Sequence, residues 1–371
     1  MIAVSKINFP MPEPLKNYYN QALINKLADS LADNYKPFNK EVFINAVFNN
    51  DWDNKELKQR MRHITTCLYQ SIPLPYAKQI DILKNTAPHF NGFIAMFFPN
   101  FVEVYGLNNF EVSIDALTHF TQFSSSEFAV RPFIIKYQKQ MINQHLIWSK
   151  HKNYHVRRLA SEGIRPRLPW AIALPNFKKD PATIIPILNN LMADEHEYVR
   201  RSVANCINDI SKDHPQIVVD LVKNNKNKST ETDKLLKHAS RGLLKKGNAE
   251  ILKLFDLNNE HLVKLLSLQI DKLKIQIGQS FNFNLKIQLL EKEASQIRLE
   301  YNIYYKKANG KQSAKIFQIG TYLLQPNQTV EVNKKHSFIN LTTRKHYEGT
   351  HKIAIVANGN EIGFLDFELL G

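Results

Sequence analysis

The chain has 371 residues, 43% of them hydrophobic, with 49 Lys and Arg against 34 Asp and Glu for a net charge of +15. That composition excludes a disordered chain and leaves room for two domains or one large repeat array. The two cysteines, Cys67 and Cys206, lie far apart without zinc-ligand spacing, which excludes a disulfide framework or a zinc module and fits a reducing compartment.

In chain order, the opening "MIAVSKINFPMPEPLKN" has no uninterrupted apolar core of signal-peptide length. The most apolar internal run, "FNGFIAMFFPNFVEVYG", is broken by Pro99 and is too short to span a bilayer. A soluble cytoplasmic protein with no membrane partner is expected. Residues 15 to about 268 read as helices, because apolar residues recur at three and four. Val156, Leu159 and Ala160 show it in "VRRLAS", and Val199, Val203, Ile207 and Ile210 in "VRRSVANCINDI". Turn signals such as "NNDWDN", "PLP", "SSSE", "DEHE", "KDHP" and "NKNKST" separate the segments.

A repeat is visible inside this helical part. "HVRRLASEG" and "YVRRSVANC" are offset by 43 residues, which aligns Arg157 and Arg158 with Arg200 and Arg201. A weaker third copy, "LLKHASRGLLKKG", carries Lys237 and Arg241. The period is that of HEAT-like helix pairs, which stack into a solenoid with a concave binding face. Arg158 and Glu162, four apart, share one helix face, and the offset predicts Arg158 over Arg201 and Glu162 over Asn205 in a polar groove, with Asp209 one turn on. From Arg131 to Lys179 there are eleven bases and a single acid, Glu162. From Arg131 to Glu250, 22 Lys and Arg face 11 Asp and Glu, so about a third of the chain holds most of the excess charge. An anionic partner, phosphate backbone or lipid, is expected at this segment.

After about Ile270 the period changes to two. Ile297, Leu299, Tyr301 and Ile303 alternate in "QIRLEYNIYY", and Asn309-Gly310 and Asn358-Gly359 mark tight hairpin turns. The expected architecture is mainly α, a HEAT-like α-solenoid of antiparallel helix pairs over residues 1–268, followed by an all-β sandwich over residues 269–371, which the resemblance given below makes immunoglobulin-like.

No phosphate-cradling glycine loop, HExxH or metal-ligand cluster appears. Glu162 is either half of an ordinary intrahelical pair with Arg158 or Arg165, or a carboxylate that stabilises a developing cation and orients water in a cationic groove. Glu127 closes the capping-box pattern Ser124-x-x-Glu127, and on the residues alone the cap is the preferred reading. Asp209 is a surface acid or a member of the same groove. Trp170, in the proline-punctuated turn "RPRLPW", is core or a stacking platform for a base or sugar. Of the paired bases Arg157, Arg158, Arg200, Arg201, Lys237 and Arg241, one of each pair is expected to brace the neighbouring repeat and the other to face the groove.

The segments "SSSEFAVRPFI", "HVRRLASEGIRPRLPW", "EYVRRSVANCINDISKDHP" and "LLKHASRGLLKKG" resemble the AlkC-like branch of the DNA alkylation repair glycosylases. "YNIYYKKANGKQSAKIFQIG", "HSFINLTTRKHYEGTHKI" and "NGNEIGFLDFEL" resemble the immunoglobulin-like domain appended to that branch. The resemblance covers residues 110 to 371 well and the first hundred loosely. It implies a cofactor-free, monofunctional glycosylase that excises small cationic bases such as 3-methyladenine and 3-methylcytosine from duplex DNA, bending the duplex without burying the base in a deep pocket. Carried over residue by residue, it implies catalytic acids at Glu162, Asp209 and Glu127 and a substrate-contacting Trp170. DNA contacts are expected from Arg157, Arg158, Arg165, Arg200, Arg201, Lys237, Arg241, Lys307 and Arg344, with the β-domain loops clamping the duplex and the chain acting as a monomer. Two other readings stay open, a non-catalytic HEAT-like DNA-binding or scaffold protein and a platform for acidic proteins.

Overall fold

A computed structural model describes residues 14–257, 263–340 and 345–371. Helices come first: α1 (Gln21–Asn34), α2 (Lys40–Val47), α3 (Leu57–Ser71), α4 (Tyr76–Thr86), α5 (Phe97–Tyr105), α6 (Phe110–Phe120), α7 (Val130–Lys136), α8 (Gln138–Trp148), α9 (Tyr154–Glu162), α10 (Pro175–Lys179), α11 (Ile185–Leu191) and α12 (Glu197–Ile210). These belong to one compact unit, which ends at Asp213. The second unit begins at His214 and holds α13 (Pro215–Asn225), α14 (Thr230–Ala239), α15 (Arg241–Lys245), α16 (Ala249–Leu254) and the β-strands. Among the described residues, no helix is long and apolar enough to cross a membrane.

In the first unit, α8 packs on α9, α11 on α12, and α9 on both members of the next pair. The apolar spacing read from sequence is what buries there: Val156, Leu159 and Ala160 on α9, and Val199, Val203, Ile207 and Ile210 on α12. The 43-residue repeat also appears in the polar frame. Arg157 donates to the carbonyls of His151 and Lys152, and Arg200 to those of Asp194 and Glu195, six and five positions earlier in both cases. Likewise the backbone N–H of Asn153 donates to the His151 ring and that of His196 to the Asp194 carboxylate. Each turn is thus tied to the first turn of the helix it introduces, and the Asn153 and His196 bonds satisfy N–H groups that a helix start would leave unpaired.

The β-part is a sandwich. A three-stranded sheet runs β1 (Val263–Ile270), β3 (Ser280–Leu289), β6 (Thr329–Ser337). A five-stranded sheet runs β2 (Lys274–Gln276), β8 (Asn360–Leu370), β7 (Gly349–Ala357), β4 (Ser295–Lys306), β5 (Gln312–Leu324). Between them lie Phe281, Phe283, Leu285 and Ile287 of β3 and Ile297, Leu299, Tyr301 and Ile303 of β4. Asn358 and Gly359 both have positive φ, 48° and 89°, as the two-residue β7–β8 hairpin requires. Strand structure begins earlier than the period change at Ile270 suggests. β1 carries a bulge between Leu265 and Ser267, which breaks the two-residue alternation and leaves Leu265 and Leu268 at helical spacing.

Candidate active site

The site lies within the first unit. A cleft of about 1190 Å³ is walled by α3 and the turn before it, by residues 91–103, by residues 121–128, by His155, Arg158 and Glu162 of α9, and by the loop 168–172, with Tyr198 of α12 at one side. Both Glu127 and Glu162 reach it, together with Arg158, Arg165 and Trp170.

Glu162 is the last residue of α9 and is only 4% exposed. Its Oε1 accepts from Arg165 Nη1 at 2.7 Å and lies 3.6 Å from Arg158 Nη2, the i,i+4 neighbour expected from spacing. Its Oε2 accepts from the Ser202 hydroxyl at 2.7 Å, and Ser161 and Ser202 share a hydrogen bond of 2.7 Å across α9 and α12. The next helix therefore presents Ser202 to Glu162, where the simple repeat offset would present Asn205. Arg165 Nε donates to Asp209 Oδ2 at 3.0 Å, and Lys212 Nζ to Asp209 Oδ1 at 3.1 Å. Asp209, 2% exposed, does not line the cleft; it stands behind Arg165. Arg158 Nη1 donates to Glu127 Oε2 and, at 2.7 Å, to the Ser125 hydroxyl, and its guanidinium lies 4.8 Å from the Tyr198 ring centre. Burial pushes the Arg158 and Arg165 guanidiniums down, but the carboxylates of Glu127 and Glu162, and of Glu162 and Asp209, outweigh it and hold both above their ordinary values. Burial likewise pushes up the Tyr198 phenol.

These ion pairs form one chain: Glu127, Arg158, Glu162, Arg165, Asp209. The capping-box reading of Glu127 is overturned. α7 starts at Val130 with Ala129 at its N-cap, so Ser124 is too early to cap it, and the Glu127 side chain turns instead to Ser125 and Arg158.

The four arginines between residues 157 and 167 are paired with acids in this structure, Arg158 and Arg165 as just described. Arg157 holds Asp194 (2.6 Å) and Glu195 (3.1 Å), and Arg167 holds Asp213 through both oxygens. Arg200 donates to the two carbonyls already named. Part of the charge excess of residues 131–179, that of Arg157, Arg158, Arg165 and Arg167, is answered by acids just before the window, at Glu127, or one repeat later, at Asp194, Asp209 and Asp213. Arg201 is exposed. Lys237 is exposed in the last turn of α14, and Arg241 donates to the His238 carbonyl; both belong to the second unit, as does Lys307, exposed at the β4–β5 hairpin. Arg344 lies outside the described residues.

Trp170 is not core. Its indole is 76% exposed and its φ is +63°, a left-handed backbone that bulky residues rarely adopt. Ala171 N–H donates to the Leu168 carbonyl, closing a turn with Pro169 second and Trp170 third. The loop is anchored from within by Arg131, which is fully buried and donates to the carbonyls of Ile172, Gly163 (3.1 Å) and Arg165 (2.9 Å). Burial lowers the Arg131 guanidinium to about 10. Sequence reasoning singled out neither Arg131 nor Ser202, Ser125 or Tyr198. Each acts on a residue 30 or more positions away or on a neighbour through side-chain geometry, and no local spacing signals that.

Three carboxylates, two of them at the cleft surface, are thus held by cations next to an exposed indole. The arrangement can steady a cation, or take a proton from water, beside a stacked base. Two family descriptions match the chain: "DNA alkylation repair enzyme" over residues 115–243, and the C-terminal immunoglobulin-like domain of the uncharacterised protein YhaZ over residues 264–371. The chain is 44% identical to uncharacterized protein YhaZ of Bacillus subtilis (strain 168) over 355 residues, 96% of this chain and 99% of that one. It also matches the structure of Pseudomonas fluorescens alkylpurine DNA glycosylase AlkC bound to DNA containing an abasic site analog, at 33% identity and a TM-score of 0.92, covering 96% of this chain and all of that one. The chain belongs to the AlkC-like family of DNA alkylation repair enzymes.

Proposed function

We propose that the chain is a monofunctional DNA glycosylase that hydrolyses the N-glycosidic bond of small cationic alkylated bases, 3-methyladenine and 3-methylcytosine, in duplex DNA. The observation that carries this reading is the Glu162 carboxylate, held by Arg165, Arg158 and Ser202 in the cleft that Trp170 also lines. The likeness to a DNA-bound alkylpurine glycosylase supports it.

The chemistry follows from the lesion's charge. A base cationic by methylation leaves readily, because the electron pair of the breaking C1′–N bond neutralises it. Leaving-group protonation is unnecessary, so no general acid is needed. Positive charge then develops on the deoxyribose, where a carboxylate stabilises it. Water bonds to C1′ and gives its proton to that carboxylate. Glu162 takes this role, with Glu127 as the second acid at the cleft surface. Asp209, behind Arg165, acts as a positioning residue for the guanidinium that grips Glu162. Trp170 stacks on the exposed base or sugar.

The test is release of free methylated base from methylated duplex DNA by wild type and by Glu162→Gln, with DNA binding measured in parallel. Release by wild type, with about a hundred-fold loss or more in the variant and unchanged binding, is expected. Binding without release by both proteins would instead favour a non-catalytic DNA-binding protein.

A further inference from the structure

Lys58 stands where a helix least favours a cation. It is the second residue of α3, at the positive end of the helix dipole, in a helix start already closed by the capping box of Glu56 and Gln59. It is exposed, so no core packing explains it. Its ammonium reaches across the cleft, 112 positions along the chain, and donates to the backbone carbonyl of Trp170. The same ammonium lies 4.9 Å from the centre of the Phe128 ring, next in sequence to Glu127.

Trp170 needs such a partner. Its turn has Pro second and positive φ third, the pattern in which the third place normally belongs to glycine. Arg131 holds the carbonyls of Gly163, Arg165 and Ile172, on either side of the apex, but not the apex. The indole is largely exposed, so packing does not fix it either. We propose that Lys58 is a positioning residue for the glycosylase reaction: it ties the Trp170 carbonyl and the Phe128 ring to one ammonium, and so sets the indole against the Glu127–Glu162 acids. This rests on the proposed function.

Two readouts test it, and one does not depend on activity. Of the three tryptophans, Trp52 and Trp148 are buried and Trp170 alone is exposed. In protein carrying 5-fluorotryptophan, the ¹⁹F resonance of Trp170 is identified by its loss in Trp170→Phe. Lys58→Met, which keeps the stem and removes the charge, should move that resonance alone toward its free-chain position. It should also lower kcat for methylated-base release by about ten- to a hundred-fold, the scale of a small misplacement. Lys58→Arg should restore both. In a Trp170→Ala background, Lys58→Met should change kcat no further. A Trp170 resonance unmoved by Lys58→Met would overturn the proposal, as would multiplication of the two kcat losses in the double variant, the mark of an independent phosphate contact. If wild type releases no methylated base, the proposed function fails, and the resonance still decides whether Lys58 holds Trp170.

Discussion

Trp170 occupies a backbone place that would cost glycine nothing. The left-handed conformation costs a residue with a Cβ about 1–2 kcal/mol, and the indole recovers little by burial because it is mostly solvent-exposed. Replacing it with glycine removes that strain and adds about 0.5–1 kcal/mol of unfolded-chain entropy in the opposite sense. The two nearly cancel, so Trp170→Gly should shift the urea-unfolding free energy by less than about 1 kcal/mol. Base release should nevertheless fall by about tenfold or more, since a stacked base contributes about 1–3 kcal/mol. A stability loss much larger than this would make Trp170 a structural residue. Strain kept at an exposed aromatic is what a selected contact looks like at the scale of one residue. The sequence exposed this candidate through its setting, "RPRLPW", but the left-handed φ is a property of the folded turn and left no mark in composition or period. The same limit applied to the acids. The i,i+4 geometry of Arg158 and Glu162 was legible from spacing. The links from Arg165 to Asp209 and from Ser202 to Glu162 span 44 and 40 positions and depend on how two repeats stack.

At the scale of elements, α8 and α9 meet through a histidine. His145 is fully buried, with Nδ1 at 2.9 Å from the Ala160 carbonyl, and Gly163 leaves it room: a Cβ there would come within 2.9 Å of the His145 ring. Burial first, and the Arg131 guanidinium second, push the imidazole down to about 4, against the carbonyl bond that favours protonation. The unfolded chain titrates near the ordinary 6.5. Above 6.5 both states are neutral and stability is at its full value. As pH falls from 6.5 toward 4, the unfolded state binds a proton that the folded state refuses, at about 1.4 kcal/mol per pH unit. Below about 4 the loss is complete. Between pH 7 and 5, His145 should therefore take about 2 kcal/mol from stability. His336 of β6, buried between the Tyr301 and Tyr305 hydroxyls and lowered by burial to about 4, adds a loss of the same sign in the β-part. Urea midpoints at the two pH values check this: wild type should lose more stability than His145→Gln, whatever the variant's own baseline. Equal pH dependence would show that His145 is not the titrating group. Helical periodicity placed α9 and α12 correctly because their buried faces are continuous. Among the described residues it ran too far at β1, where a bulge imitated helical spacing.

Across the whole molecule, the question is where the net charge of +15 acts. Affinity for duplex DNA falls with salt at a slope of about 0.9 per phosphate neutralised, so the slope counts the cations that meet the backbone. Reading the basic segment by composition assigns that work to its arginines. The structure pairs them: Arg167 is bidentate to Asp213, Arg157 to Asp194, and Arg158 and Arg165 share Glu127, Glu162 and Asp209. A guanidinium already paired displaces few counterions when DNA arrives, because its field is largely cancelled before binding. An exposed lysine with no carboxylate beside it displaces about one. Lys307, exposed at the turn between β4 and β5, pairs with no carboxylate among the described residues and is of the second kind. Under the proposed function, Lys307→Gln should flatten the salt dependence of DNA binding by about one unit of log K per log salt. Arg167→Gln removes an equal formal charge and should leave the slope nearly unchanged. Titrations of both variants on one duplex across a salt series separate the cases. Equal flattening by the two would mean that the arginine pairs open on DNA and that the basic segment meets the backbone after all. A change in neither would remove the β4–β5 turn from the DNA contact.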